Sequence, residues 1–240
     1  MKTMDFRRVY VWQLPVRIFH WLNAIAIVVL GITGYIIAKP PAILLSVEAN
    51  FSYWFGTVRA IHFITAYVFL AVMIMRLYWA LFAGNRYANW RAFLPFNKAG
   101  RGNFIHVMKH DIMLLKDRDP QFSDISIGHN AVAALSYLAM FFVALVMIFT
   151  GFGLYADNAN WFLPKLFGWV PEFLGGDFIT RSIHHFSMWI FAVFILIHVY
   201  LVLFHDWLEG RGETSSIISG YKYVCKERMI ESEEELEEVE

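Results

Sequence analysis

The sequence predicts an all-α integral membrane protein, a bundle of four transmembrane helices. Three observations carry that prediction. Apolar types make up 58% of the 240 residues and aromatics 18%, while charged residues reach only 17%, against about 25% in a soluble domain. Four weakly charged runs each attain the ~20 residues that a helix needs to cross ~30 Å of hydrocarbon. Too little polar sequence remains to bury four such helices inside a soluble core. The same composition excludes a disordered chain.

In chain order, residues 1–17 form a polar N-terminal segment, and the first span covers 18–38, with no charge before Lys39. Its apolar run is longer than the ~7–15 residues of a signal peptide, and no small-residue cleavage site precedes Pro40-Pro41, so the segment reads as retained. The second span, 58–83, carries Arg59 near one end and Arg76 further along. A third uncharged stretch covers 130–156, and the fourth span covers 183–204. Between spans two and three, the 84–129 loop is too long for a turn. Its stretch from Asn103 to Leu115 looks amphipathic and suits a helix lying on the membrane surface. Residues 206–240 close the chain, with 231–240 an acidic tail that reads as disordered.

Basic residues orient the bundle. Segments 1–17, 84–129 and 206–240 hold fifteen of the twenty Lys and Arg, so both termini and the long loop are expected on the cytoplasmic side. The short loops 39–57 and 157–182 are rich in Trp, Phe, Tyr and Pro, and belong at the outer interface. Twenty basic and twenty acidic residues cancel, which speaks against nucleic acid as a partner. The single cysteine, Cys225, excludes a disulfide framework, a four-cysteine zinc site and an iron–sulfur cluster held by this chain alone.

Five of the nine histidines lie in apolar spans, where polar groups are costly and usually functional, and four of them, His20, His62, His184 and His198, fall at paired depths. His184 and His198 are 14 residues apart, about 3.9 turns, so they share one helix face with a rise of roughly 21 Å between them. His62 follows Arg59 by three residues as His184 follows Arg181, and both spans enter from outside, which places this pair at one outer depth. His20 and His198 lie at a matching inner depth.

Two pairs at two depths form the ligand pattern of two bis-histidine b haems stacked across a membrane. With both axial positions filled, electron transfer is the task. Residues 18–205 then constitute a dihaem domain. Gly31 and Gly34 let a macrocycle approach the first helix. Arg59 and Arg76 are candidate propionate partners, with snorkelling to an interface as the other reading. Zinc is the chemical rival, but no third ligand stands out near either pair. His205 is in phase with His198 but sits beside Asp206 at the boundary. His185 is rotated about 100° from His184, and His106, His110 and His129 fall in or beside the cytoplasmic loop.

At these residues the chain resembles the cytochrome b subunit of membrane-bound nickel–iron uptake hydrogenases, a family related to the gamma subunit of formate dehydrogenase. The matching stretches are Pro15-Val-Arg-Ile-Phe-His-Trp, Ile32-Thr-Gly-Tyr, Arg59-Ala-Ile-His-Phe, Met75 to Tyr87, Gly128-His-Asn, Thr150-Gly-Phe-Gly-Leu-Tyr, and His184 through His198-Val-Tyr. They cover nearly all of 10–223, and Gly84-Asn-Arg-Tyr favours the hydrogenase branch.

The resemblance implies an electron-transfer subunit of the bacterial inner membrane without hydrogenase activity of its own. Large and small hydrogenase subunits oxidise H2 on the periplasmic side, and electrons enter at His62/His184. They leave at His20/His198 for a membrane quinone of the respiratory chain. The family's quinone pocket carries over to His129 and Asn130, whose plainer role is a solvated histidine and a helix cap. The alternatives are a subunit of another periplasmic dehydrogenase, formate dehydrogenase gamma-like, or a stand-alone b561-like transmembrane reductase.

Overall fold

A computed structural model of the chain describes residues 6–42, 53–85, 87–90, 131–209 and 212–225. In order, they form strand β1 (Phe6–Tyr10), helices α1 (Leu14–Ala38), α2 (Trp54–Tyr78) and α3 (Ala131–Tyr155), and two short helices, α4 (Phe162–Lys165) and α5 (Trp169–Leu174). The 33-residue α6 (Asp177–Glu209), the short α7 (Glu213–Ser219) and strand β2 (Tyr221–Cys225) complete the chain. Most of the 84–129 loop, His106, His110, His129, Asn130 and the tail 231–240 lie outside the described residues.

The four expected spans all become helices long and apolar enough to cross a membrane, at Leu14–Ala38, Trp54–Ala83, Ala133–Asn158 and Asp177–Phe204. Three begin four to six residues earlier than the run of uncharged residues predicts. A charge at a span's edge does not end the helix: Arg17, Arg59 and Arg181 all lie within helical backbone, since a long arginine side chain can carry its charge away from the helix axis. Pro15 sits in the first turn of α1, where its missing N–H costs nothing. Lys39-Pro40-Pro41 ends that helix, since a proline disfavours helical backbone at the residue before it. The 25 residues of α2 run on into a π-helical turn, Trp79–Ala83.

The described residues divide into two compact units, and each long helix contributes to both. One unit comprises Phe19–Arg76 and Ala139–Ile197. Its core is Ala26 of α1, Phe69 of α2, Ala144, Ile148 and Phe152 of α3 and Phe191 of α6. Four helices thus meet around one apolar centre. Their other faces carry exposed apolar side chains such as Ile25, Ile64, Phe142 and Leu196, as a lipid solvent requires.

The other unit holds residues up to Ile18, Leu77–Leu138 and His198 onward. Here the all-α expectation meets an exception. β1 and β2 pair antiparallel, from Phe6 opposite Cys225 to Tyr10 opposite Tyr221. Behind the pair, Trp12 donates to Ser216 Oγ at 3.1 Å. The buried Lys222 is ion-paired to Glu213 at 2.7 Å and lies 5.5 Å from the Trp12 ring centre.

Gln13 ties this knot to the end of α2 by accepting from Trp79 Nε1 at 2.9 Å and from the Asn85 amide at 3.1 Å. The Asn85 side chain donates to the Val11 carbonyl and accepts from the Ala88 amide. The Gly84-Asn85 pair, part of the family-like motif, therefore has a structural use as a clasp.

Gly220, at the turn from α7 to β2, has φ 89°, and a Cβ there would stand 2.6 Å from the Tyr10 ring and 2.8 Å from the Trp12 carbonyl. Gly220→Ala combines left-handed strain of about 1–2 kcal/mol with that clash. It is expected to lower the thermal midpoint in detergent and to expose the N-terminal strand to protease. Gly56→Ala, whose Cβ meets open space, is the control that leaves both unchanged.

Candidate functional site

The four-helix unit encloses a cavity of about 870 Å³, toward the upper end of the ~300–1,000 Å³ typical of cofactor sites. All four long helices wall it. His62 comes from α2 and His184 from α6, so the two residues expected to form the outer pair line one space. Arg59 and Arg181 line it too, each three residues before its histidine, whereas no Asp or Glu is among the lining residues. Aromatic contacts stiffen the walls. Phe63 packs on Tyr155 with ring centres 4.3 Å apart, and Tyr67 packs on Phe152 at 5.1 Å and accepts a hydrogen bond from Trp161.

The protonation of each imidazole follows from its neighbour. Thr33 on α1 donates its hydroxyl proton to the Val29 carbonyl at 2.6 Å. With that proton committed, its oxygen can only accept from His62 Nδ1, 2.9 Å away. Thr150 on α3 repeats the arrangement, donating to the Val146 carbonyl at 2.6 Å and facing His184 Nδ1 at 2.9 Å. Both histidines are therefore Nδ1–H tautomers, and each keeps a lone pair on Nε2. That nitrogen is the one a neutral imidazole offers to iron.

Three further features fit a haem. A Cβ on Gly31 would meet nothing within 4 Å, so this cavity-lining glycine leaves room where a side chain would stand. A Cβ on Gly34 would come 3.2 Å from His62 Cε1, and one on Gly151 3.0 Å from His184 Cε1, so each ring rests against a bare stretch of helix. Two guanidinium groups in a cavity whose described lining holds no carboxylate suit a pair of propionates. Among the described residues, no three His, Cys, Asp or Glu side chains cluster to hold a bare metal ion. A porphyrin, which brings four nitrogens of its own, would need only two further donors, and His62 and His184 could supply them.

The remaining expectations divide. Arg59 stands at the cavity, with its guanidinium 5.8 Å from the Phe63 ring centre. Arg76 is not among the lining residues and lies in the last turn of α2. Arg181 is the second arginine at this cavity, and the repeated Arg-x-x-His spacing was the signal for it. Thr33, Thr150 and Gly151 are the other site residues that the analysis of depths passes over. His20 packs edge-on against Trp21, and His198 lies edge-on to Tyr137 with ring centres 6.1 Å apart. These two histidines fall in different units. α6 is continuous from Asp177 to Glu209, so the in-phase spacing of His184 and His198 rests on unbroken helix.

The family model described as prokaryotic cytochrome b561 matches residues 11–220. The chain is 35% identical over 223 residues to the probable Ni/Fe-hydrogenase B-type cytochrome subunit of Cupriavidus necator, covering 91% of this chain and 88% of the relative. It is 34% identical over 219 residues to the probable Ni/Fe-hydrogenase 1 B-type cytochrome subunit of Escherichia coli K12, with 89% and 90% covered. The corresponding subunit of Rhizobium leguminosarum bv. viciae is 34% identical over 226 residues, with 91% and 90% covered.

Filling the cavity tests the assignment of the space without touching a ligand. Gly31→Leu is expected to remove one haem equivalent from the purified protein while leaving it folded. Gly151→Ala, which displaces the His184 ring by only a few tenths of an ångström, should weaken retention of the same haem rather than abolish it. Pyridine haemochrome analysis beside far-UV circular dichroism reads both.

Proposed function

The chain belongs to the prokaryotic cytochrome b561 family, and from that premise we propose that it is the dihaem cytochrome b of a membrane-bound nickel–iron hydrogenase. It would carry electrons from H2 oxidation on the periplasmic side to the quinone pool of the bacterial inner membrane. The single observation behind this reading is the cavity in which His62 and His184 each retain an Nε2 lone pair beside Arg59 and Arg181. The names of the relatives supply the hydrogenase, with its small and large subunits as partners. Haem b in such a site takes up and releases one electron at a time without forming or breaking a bond to substrate.

What the protein contributes is binding, orientation and exclusion. His62 and His184 would hold the haem iron at the outer site through their Nε2 atoms, which would leave no position for a small ligand. His20 and His198 are the proposed inner pair, on the strength of their matched depths and the unbroken α6. Arg59 and Arg181 offer charge to two carboxylates at the outer end of the unit, and Arg76 is kept as a candidate for the other haem. The apolar side chains around the outer site hold water away and lower the dielectric, which, with hydrogen bonding to the ligands, sets the potential. His129 and Asn130, by resemblance, are the proposed quinone contacts. The distribution of Lys and Arg supports an orientation with both termini in the cytoplasm.

The test is haem stoichiometry together with the company the protein keeps. A reduced-minus-oxidised spectrum of the purified wild type should show two b haems, with one lost in His184→Ala and the other in His62-sparing His198→Ala. Copurification with a nickel–iron enzyme, and loss of H2-dependent quinone reduction in membranes of either variant, separate the hydrogenase role from a b561-like reductase acting alone. A wild type expressed with ample haem that binds none overturns the reading.

A further inference from the structure

The outer site is built from one small motif used twice. Ile32-Thr33-Gly34-Tyr35 on α1 and Phe149-Thr150-Gly151-Phe152 on α3 both read apolar–Thr–Gly–aromatic. Each serves a histidine on a different helix, His62 on α2 and His184 on α6. A threonine that returns its hydroxyl to the carbonyl four residues back is common in membrane helices and by itself means little. Here the same oxygen has a second duty. Thr33 and Thr150 are 8% and 2% exposed, so water does not compete for their lone pairs.

From this repeat we infer that Thr33 and Thr150 are positioning residues that fix the ring plane of both axial ligands and hold down the reduction potential of the outer haem; the inference rests on the haem reading of this cavity. The ring is held at two atoms. Thr takes Nδ1–H at 2.9 Å in both cases. The adjacent glycine meets Cε1 closely enough that a Cβ would sit 3.2 Å away at His62 and 3.0 Å away at His184. Rotation of the imidazole about its Cβ–Cγ bond breaks the first contact or tightens the second. Two such clamps define two ring planes independently of any cofactor.

The electronic effect follows from the donor's direction. An acceptor on Nδ1–H pushes electron density through the ring toward Nε2 and makes the ligand more basic. A more basic ligand favours the more highly charged ferric iron. The hydroxyl is a better acceptor for having given its own proton to a carbonyl, because linked hydrogen bonds polarise one another. Both ligands of one iron receive this push, so the effects act in the same direction. Each ring meets its threonine at the same 2.9 Å, so the two contributions are of similar size.

The experiment compares T33V, T150V, T33S and T150S with the wild type and His184→Ala, in the haem-loaded full chain, by potentiometric titration and low-temperature EPR. T150V should raise one haem's midpoint by about a ten-fold change in its reduced-to-oxidised ratio at fixed potential, which is about 59 mV for one electron. T33V should raise the same midpoint by a similar amount. Both should shift the low-spin EPR signal of that haem and leave the other haem unchanged. The serine variants, which restore the hydroxyl, should behave as wild type.

Valine variants with wild-type midpoint and EPR overturn the inference, and so do serine variants that shift as far as valine. If T150V loses the haem, recovery of haem and midpoint in T150S supports the role and failure to recover refutes it. A His184→Ala variant that keeps every haem refutes the cavity assignment instead, and the two failures are thereby distinct.

Discussion

An imidazole inside a bilayer has two ring nitrogens and no water to satisfy either. One must be occupied by the protein before the other can be offered to anything else, and this constraint organises the four-helix unit. The occupying group has to be an acceptor, it has to be an acceptor only, and it must come from a different helix to leave the histidine's own face open. A threonine whose hydroxyl proton is tied to its own helix meets all three conditions. The pairing of α1 with α2 and of α3 with α6 follows, and so do the bare glycines beside each ring, because 2.9 Å between Oγ1 and Nδ1 brings the helices too close for a side chain between them. The cavity is what remains when two such pairs face one another.

Much of this was legible in the sequence, and the reason is period. A span of twenty apolar residues and a 14-residue interval on one helix are one-dimensional quantities, so the helices and the shared depth of His62 and His184 could be read along the chain. Arg181 shows where that reading stops. By position it looks merely like the start of a span. Whether it turns toward the cavity depends on the rotation of α6, which depth along the chain does not fix, whereas Arg76, 14 residues beyond His62, lies about 21 Å further along α2 and belongs to another depth. Thr33 and Thr150 were hidden for a related reason. In an apolar run, threonine is an unremarkable helix residue, and its partners lie 29 and 34 residues away, on other helices.

The terminal knot was hidden more completely. Phe6–Tyr10 and Tyr221–Cys225 are five residues each, too short for a period-two pattern to stand out, and each lacks a neighbouring strand to suggest a hairpin. Their partnership is specified by side contacts instead. Lys222 illustrates the point. In the sequence it counts as one more cytoplasmic cation, whereas in the structure it is buried between Glu213 and the Trp12 ring. Gln13 and Asn85 likewise read as ordinary polar residues until the end of α2 is brought beside the start of α1.

The pairing of the first strand with the last has a consequence for how the protein is made. Phe6 leaves the ribosome before any of the four spans and Cys225, its partner, after all of them. Throughout that interval β1 is an open edge, able to template the wrong neighbour. It closes only when the fourth helix has inserted and α7 has turned the chain back at Gly220. A nascent chain halted before residue 221 keeps every membrane helix and still lacks the contact that seals its two ends together. The sheet thus forms only after every membrane helix has been made, and it marks a polypeptide in which all four spans between its strands are in place.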